Sequence, residues 1–356
     1  MGTNRRVLSV IIALIAVVTP TAIFASNDLL ASVYARRTDL QAAFDPVTFK
    51  AKPGTSAGFI IDLKDWAERY GWKELPELRE FGPKQGDGIP VRVGAYEIED
   101  HIGAQAYLVM DRSTGTILTV KQENKVWPIA SLTKLVTSEV VIDHRVSATT
   151  VASVRTSDNV GGAKLSVADG DTFTVDDLFY ATLIASANNA ANALSRTTGL
   201  SKEAFVKEMN EKATALNLVQ TSFVDPTGIE LGNVSTAREF ARLAREIFDR
   251  EELRRYITTS HKDIRVINQG TTKKMTSTNW MLYKPQYDDV WVTGGKTGYL
   301  EESGWNLVES LRPSEQDKDR ELLLVIFGAG SRAESFADAQ TLSHWAWENY
   351  KWEKLN

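Results

Sequence analysis

The sequence predicts an α+β fold: an antiparallel sheet built from both chain ends, with flanking helices and a helical insertion. Three observations predict it. Ala106 to Met110 and Ile117 to Val120 are strand-like and flank Asp111-Arg112-Ser113-Thr114-Gly115, which is turn chemistry, so a hairpin opens the main domain. A long middle stretch then carries helical periodicity and helix caps. Near the C-terminus the pattern returns to strands at 290–292, 304–308 and 322–327, followed by a last helix from about Glu334 to Trp352.

The bulk numbers exclude several function classes. The chain has 356 residues, 43% hydrophobic and 24% charged, which suits one large or two smaller globular domains. A net charge of -5 leaves no nucleic-acid footprint. The absence of cysteine excludes disulfides, thiol catalysis and thiolate metal sites. His101, His144, His261 and His344 lack metal-ligand spacing. No metal and no organic cofactor is expected.

Residues 1–25 read as an export signal. Arg5 and Arg6 precede an apolar run from Val7 to Val18, Pro20 follows, and Ala25 is a small residue at a cleavage point. An uncleaved anchor is the alternative, because Val7 to Ala25 is barely long enough to span a bilayer. Either way the remaining chain is expected outside the cytoplasm, in the periplasm or on the outer face of the cytoplasmic membrane. Residues 26–102 form a separate segment of unknown role, with a loop at 53–58, a short amphipathic helix at 60–72 and another loop at 82–88.

The main domain is expected over 103–356. Trp127-Pro128-Ile129-Ala130 leads into Ser131, where a helix to about Asp143 begins. Ser131 and Lys134 then share one helical face, so an amine of lowered pKa can take the serine proton. The free amides of the first helical turn favour negative charge developing there. Next, Thr174-Val175-Asp176-Asp177 starts a helix that ends near Ser186-Ala187-Asn188. A further helix covers about Lys202 to Leu216, and Asp225-Pro226-Thr227-Gly228 is a tight turn. Thr236 with Glu239 makes a capping box for a helix through about Phe248. Lys296-Thr297-Gly298 lies just after the strand at 290–292, where flanking glycines let a substrate backbone approach. Phe336, Leu342, Trp345, Trp347 and Tyr350 on the last helix are expected to pack on the sheet.

Ser131-x-x-Lys134, Ser186-x-Asn188 and Lys296-Thr297-Gly298 resemble the three signature elements of the penicillin-recognising serine enzymes. The text around Ser131, at 223–228 and at 233–238 is similar to the D-alanyl-D-alanine carboxypeptidases, the low-molecular-mass penicillin-binding proteins. The resemblance covers about Gly103 to Trp352. It implies a β-lactamase/transpeptidase-like fold, peptidoglycan stem peptides as substrate, and β-lactams as covalent inhibitors.

The resemblance also implies roles. Ser131 attacks the carbonyl between two D-alanine residues, with Lys134 as general base. Burial or the nearby Lys296 must hold Lys134 neutral. Ser186 relays a proton to the leaving amine and Asn188 orients the acyl chain. Lys296 and Thr297 of Lys-Thr-Gly298 bind the terminal carboxylate. The amides of Ser131 and Tyr299 form the oxyanion hole.

Two departures bear on specificity. Many relatives carry a third domain of strands, and none is expected here. Many also start the last helix with an arginine that holds the carboxylate, where alignment gives Ser335, with Arg332 three residues earlier. Both features are similar to the short DD-endopeptidase branch, so trimming a free terminus and cutting a cross-link stay open. A β-lactamase would need a Glu-x-x-Leu-Asn run, and Glu211 with Leu216-Asn217 has the wrong spacing. A catalytically silent muropeptide or β-lactam binder would be signalled by loss of Ser131 or Lys134, and both are present.

Overall fold

The computed structural model describes residues 30–50, 52, 63–64, 88–95, 97–98 and 101–354. The expected signal at 1–25 lies outside them. So do the loops at 53–58 and 82–87 and most of the helix expected at 60–72, of which only Leu63 and Lys64 are described and are helical. The chain divides into two compact units, one reaching Gly82 and including Thr114–Thr116, the other holding the rest. In the first, helix α1 (Thr38–Ala43) joins Leu30, Phe44 and Leu63 in a small apolar cluster.

The second unit begins with β1 (Gly88–Arg92), then the hairpin β2 (Ala106–Asp111) and β3 (Ile117–Lys121). The insertion follows: α2 (Thr133–Asp143), β4 (Val151–Val154), β5 (Asp171–Thr174), α3 (Val175–Leu183), α4 (Asn188–Arg196), α5 (Lys202–Ala215), α6 (Ala237–Phe248), α7 (Glu251–Ile257), β6 (His261–Val266) and β7 (Thr271–Thr276). The chain then returns to β8 (Trp291–Leu300), β9 (Gly304–Arg312), β10 (Leu322–Ala329), α8 (Arg332–Asn349) and β11 (Tyr350–Lys354).

The main sheet has the order β8-β9-β10-β2-β3 and every pair is antiparallel, so strands from both ends of the domain complete it. β10 is apolar throughout because both of its faces are covered. Leu322, Leu324 and Ile326 face α8, where Phe336, Ala339, Leu342 and Trp345 recur at helical spacing. Phe327 points the other way, its ring centroid 6.1 Å from that of Phe240 on α6. Helix α2 is enclosed within the insertion, with eight of its eleven residues buried.

Four readings differ from the sequence expectation. The middle region is not mostly helical, since β4 pairs with β5 and β6 with β7. These strands are short and largely polar, so hydrophobic periodicity does not mark them. Lys-Thr-Gly lies within β8 rather than after a strand, because glycines do not break a strand that is paired along its length with β9. The last helix stops at Asn349. Tyr350-Lys351-Trp352 alternates as a strand paired with β1, and the Trp352 indole donates to Asp111 at 2.8 Å. Thr236 caps α6 as expected, accepting from the Glu239 amide at 3.1 Å. The reciprocal half of the capping box is absent, because the Glu239 carboxylate takes the Gln220 amide and the Thr221 hydroxyl instead. Among the described residues no helix is long and apolar enough to cross a membrane.

Candidate active site

The site forms where α2, the α3–α4 junction and β8 converge. A short 3-10 turn, Ala130–Leu132, precedes α2 and carries Ser131. Ala130 takes a positive φ of 51°, uncommon for a residue with a Cβ. The turn is held from both sides. The Ile129 amide donates to Asn233 O at 2.9 Å, and the Asn306 side chain donates to Pro128 O at 2.8 Å.

Lys134, one turn further along, is fully buried. Its Nζ is 2.8 Å from Ser131 Oγ, 2.7 Å from Asn188 Oδ1 and 2.6 Å from Thr227 O. Burial lowers its pKa from the usual lysine value to about 7, against the opposing charge of Asp225. A neutral amine has two hydrogens and one lone pair. Asn188 Oδ1 and Thr227 O can accept the hydrogens, which leaves the lone pair for the Ser131 hydroxyl.

The Thr227 carbonyl is aimed by the Asp-Pro-Thr-Gly turn. The buried Asp225 carboxylate accepts from the Thr227 amide (2.6 Å), the Gly228 amide (2.9 Å), the Glu230 amide (3.0 Å) and Asn233 Nδ2 (2.6 Å). Burial pushes Asp225 up, and these hydrogen bonds more than offset it and hold the group below the ordinary range. Gly228 has φ +80°, and a Cβ there would lie 1.9 Å from Ala130 O.

Ser186 sits after α3 with φ 59°, and its Oγ accepts from Lys296 Nζ at 2.9 Å. Lys296 is buried and also donates to Thr297 O at 2.7 Å. Burial, with the cations Lys134 and Arg332, holds Lys296 well below the usual lysine range. Asn188 opens α4 and is anchored by donation from its Nδ2 to Gly161 O at 2.8 Å. On β8, a Cβ at Gly298 would fall 2.8 Å from Ile129 O and 3.2 Å from the Ser131 nitrogen. The glycine therefore lets this strand close onto the turn that carries Ser131, which sets the next residue, Tyr299, beside it.

A cavity of about 200 Å³ opens over these groups. Ser131, Ser186, Asn188, Thr297, Gly298 and Tyr299 line it, and Lys134 and Lys296 lie buried among them. All eight residues anticipated from sequence thus meet in one place. The structure adds Thr278, Ile229 and Arg332 to the lining. Thr278 Oγ1 is 2.6 Å from Thr297 Oγ1. Arg332 begins α8 with its guanidinium 4.7 Å from the Trp305 ring centroid and 5.5 Å from that of Trp280. Ser335, the position aligned with the relatives' arginine, is buried outside the lining and donates to Arg332 O at 2.8 Å. The cation at this end of the cavity is Arg332, at the start of α8. Glu211 lies on the exposed face of α5, paired with Lys207 at 2.5 Å. Among the described residues no cluster of His, Asp or Glu is placed to hold a metal ion.

The chain is similar to several known proteins. The D-alanyl-D-alanine carboxypeptidase family model matches residues 94–331. The D-alanyl-D-alanine endopeptidase of Pseudomonas aeruginosa is 32% identical over 250 residues, covering 70% of this chain and 78% of that one. The D-alanyl-D-alanine carboxypeptidase DacF of Bacillus subtilis is 30% identical over 261 residues, 71% of this chain and 64% of that one. Among solved structures, the Streptomyces K15 DD-transpeptidase superposes with a TM-score of 0.64 at 23% identity, covering 70% of this chain and 98% of that one. Penicillin-binding protein D2 of Listeria monocytogenes in its cefotaxime-bound form gives 0.61 at 25% identity, covering 70% of this chain and all of that one. The chain belongs to the D-alanyl-D-alanine carboxypeptidase family.

Proposed function

We propose that the cavity hydrolyses the D-alanyl-D-alanine bond of peptidoglycan stem peptides through an acyl-enzyme on Ser131. The observation that carries this is the buried Lys134 amine, 2.8 Å from Ser131 Oγ with its other two neighbours both acceptors. Neutral Lys134 takes the serine proton as Oγ attacks the carbonyl carbon. The oxyanion is held by the amides of Ser131 and Tyr299, and removal of such a donor costs roughly 10²–10³ in rate. Ser186, fixed by Lys296, passes the proton to the leaving amine, the C–N bond breaks and D-alanine departs. Water then attacks the ester with Lys134 again as base, regenerating Ser131. Lys296, Thr297 and Arg332 hold the substrate's terminal carboxylate, and Asn188 orients the acyl chain. No cofactor takes part.

A β-lactam would form the same ester and stay on Ser131. Labelled penicillin should add one adduct per chain, located at Ser131 by peptide mass spectrometry and lost in Ser131→Ala. An adduct elsewhere, or none, ends the acyl-enzyme reading. Cutting of peptidoglycan cross-links is the second reading, favoured by the 32% identity to the Pseudomonas endopeptidase. Cross-linked and uncross-linked muropeptides assayed side by side separate the two.

This substrate lies outside the cytoplasm. We assign residues 1–25 to a signal peptide or membrane anchor, 26–102 to a segment of unknown role and 103–356 to the catalytic domain. Within the 26–102 segment, Gly88–Arg92 pairs with β11 of the catalytic domain. The working location is then the periplasm or the outer face of the cytoplasmic membrane.

A further inference from the structure

The Arg332 guanidinium stands at the cavity without an anionic partner. Among the described residues it makes no ion pair and no side-chain hydrogen bond, and its Nε is buried and unpartnered. The acidic residue closest to it in sequence, Glu334, is engaged elsewhere, its Oε2 accepting from the Gly330 amide at 2.6 Å. What surrounds the guanidinium is aromatic. Its central carbon is 4.7 Å from the Trp305 ring centroid and 5.5 Å from that of Trp280. Trp280 is stacked on Phe336 of α8, with centroids 5.6 Å apart and planes at 24°. Trp305 is stacked on Tyr299 of β8, with centroids 4.3 Å apart and planes at 29°.

The sheet puts the Trp305 ring in this place. Trp305 on β9 pairs with Tyr299 on one side and with Ala329 of β10 on the other, and α8 starts at Arg332 soon after β10 ends. The register of β9 against β10 slips between Trp305 and Leu307. Such a bulge bends the strand locally and re-aims a side chain. Gly304 and Gly328 accommodate it with φ of 63° and 71°, and a Cβ at Gly304 would lie 2.9 Å from Ala329 O. Asn306, beside the slip, ties it to the turn that carries Ser131. Its Oδ1 accepts from the Gly328 amide at 3.0 Å, and its Nδ2 donates to Pro128 O at 2.8 Å.

A long arginine side chain loses rotamer freedom when it grips a ligand, which weakens binding unless the side chain is already confined. An aromatic face confines a guanidinium while leaving its N–H edge open to an anion. A protein carboxylate would confine it as well, but would compete with the ligand for the same donors. We propose that Trp305 is a positioning residue that holds Arg332 ready for the substrate's terminal carboxylate, and so sets the preference for that carboxylate over its uncharged amide. The proposal rests on the role of Arg332 in carboxylate binding given above.

The test is steady-state hydrolysis of a D-alanyl-D-alanine peptide and of the same peptide as its terminal amide. The parent, Trp305→Leu, Trp305→Phe, Arg332→Met and the Trp305→Leu/Arg332→Met double variant are compared, with thermal melting alongside. In Trp305→Leu the KM for the carboxylate peptide should rise about five- to tenfold, and the carboxylate-to-amide ratio of kcat/KM should fall by the same factor. Trp305→Phe keeps an aromatic face and should restore most of that ratio. The double variant should discriminate no worse than Arg332→Met, because the two side chains act as one unit. An unchanged ratio in Trp305→Leu, or additive losses in the double variant, would overturn the proposal. So would a kcat lowered equally for both peptides, which would place Trp305 with Tyr299 and the oxyanion strand instead. Failure of both Trp305 variants to fold would assign the ring a structural role and overturn it equally. If Arg332→Met keeps the parent ratio, the carboxylate-binding role of Arg332 fails and the proposal with it. If the parent hydrolyses neither peptide, the acyl-enzyme reading itself falls and takes the proposal with it.

Discussion

At the scale of single residues, Lys134 decides when the site can work. A lysine in water is charged at neutral pH and useless as a base. Here burial disfavours the ammonium and brings the pKa to about 7. The deprotonated form is the active one, so the acylation rate should rise with pH through a midpoint near 7. Stopped-flow acylation across that range checks it, and a flat profile would remove Lys134 as base. Arg332 makes a separate claim. Its guanidinium, lodged between Trp305 and Trp280, faces the far end of the cavity. Arg332→Met should raise KM roughly tenfold for a peptide with a free terminal carboxylate. The corresponding amide should be unaffected. Ser131, Lys134, Ser186 and Lys296 were legible because each pair of signature residues is close in sequence. The turn at Asp225 and Arg332 were visible as sequence features, but their places at the cavity were not, nor was Thr278, because only the tertiary fold brings them there.

At the scale of elements, the site depends on loops that touch without side chains between them. Gly228 abuts Ala130 O, and its positive φ suits glycine alone. Gly228→Ala should therefore push the Thr227 carbonyl away from Lys134 and displace the Ser131 turn. Acylation should fall about 10²-fold, the effect of roughly an ångström of misplacement. Thermal melting should show a smaller loss, and unchanged acylation kinetics would refute the contact's importance. The same elements explain what sequence could reveal. Helices α3 and α6 announced themselves through Thr174 and Thr236, whose hydroxyls do accept from Asp177 and Glu239 amides. The hairpin β6–β7 did not, because only Ile264, Val266 and Met275 of its twelve residues are buried. The end of α8 was also hidden, since Tyr350 and Trp352 continue the aromatic composition of the helix while their partner strand β1 is remote in sequence.

At the scale of the whole molecule, the sheet is fastened at one end by Glu321. Its carboxylate takes the Thr293 hydroxyl (2.6 Å), the Ser310 hydroxyl (2.7 Å), the Arg312 Nε (2.8 Å) and the Arg112 guanidinium. It thus ties β8 and β9 to the segments flanking β2 and β10. Burial pushes its pKa up, but Arg112 and the hydroxyls outweigh this and hold it at about 2. A carboxylate held below its unfolded value stabilises the fold fully above the unfolded pKa, and that stability fades as pH falls toward 2. Glu321→Gln should cost about 3 kcal/mol at neutral pH. The difference from the parent should shrink in acid, as urea titrations at several pH values would show. A pH-independent difference would mean that shape rather than charge is lost.

The antiparallel pairing of β2 with β10 sets a condition on when the domain can form. Leu322 pairs with Asp111 and Phe327 with Ala106, partners separated by the whole insertion and by β3, β8 and β9. β2 and β3 leave the ribosome first and can close their hairpin at once, but one edge of β2 stays bare until β10 arrives. Contacts this distant in sequence make folding slow, because a long loop must close before they contribute. The sheet is therefore completed only once β10 has emerged, long after β2. Until then the open edge of β2 is a place where another chain can pair, and it needs shielding while the insertion is made.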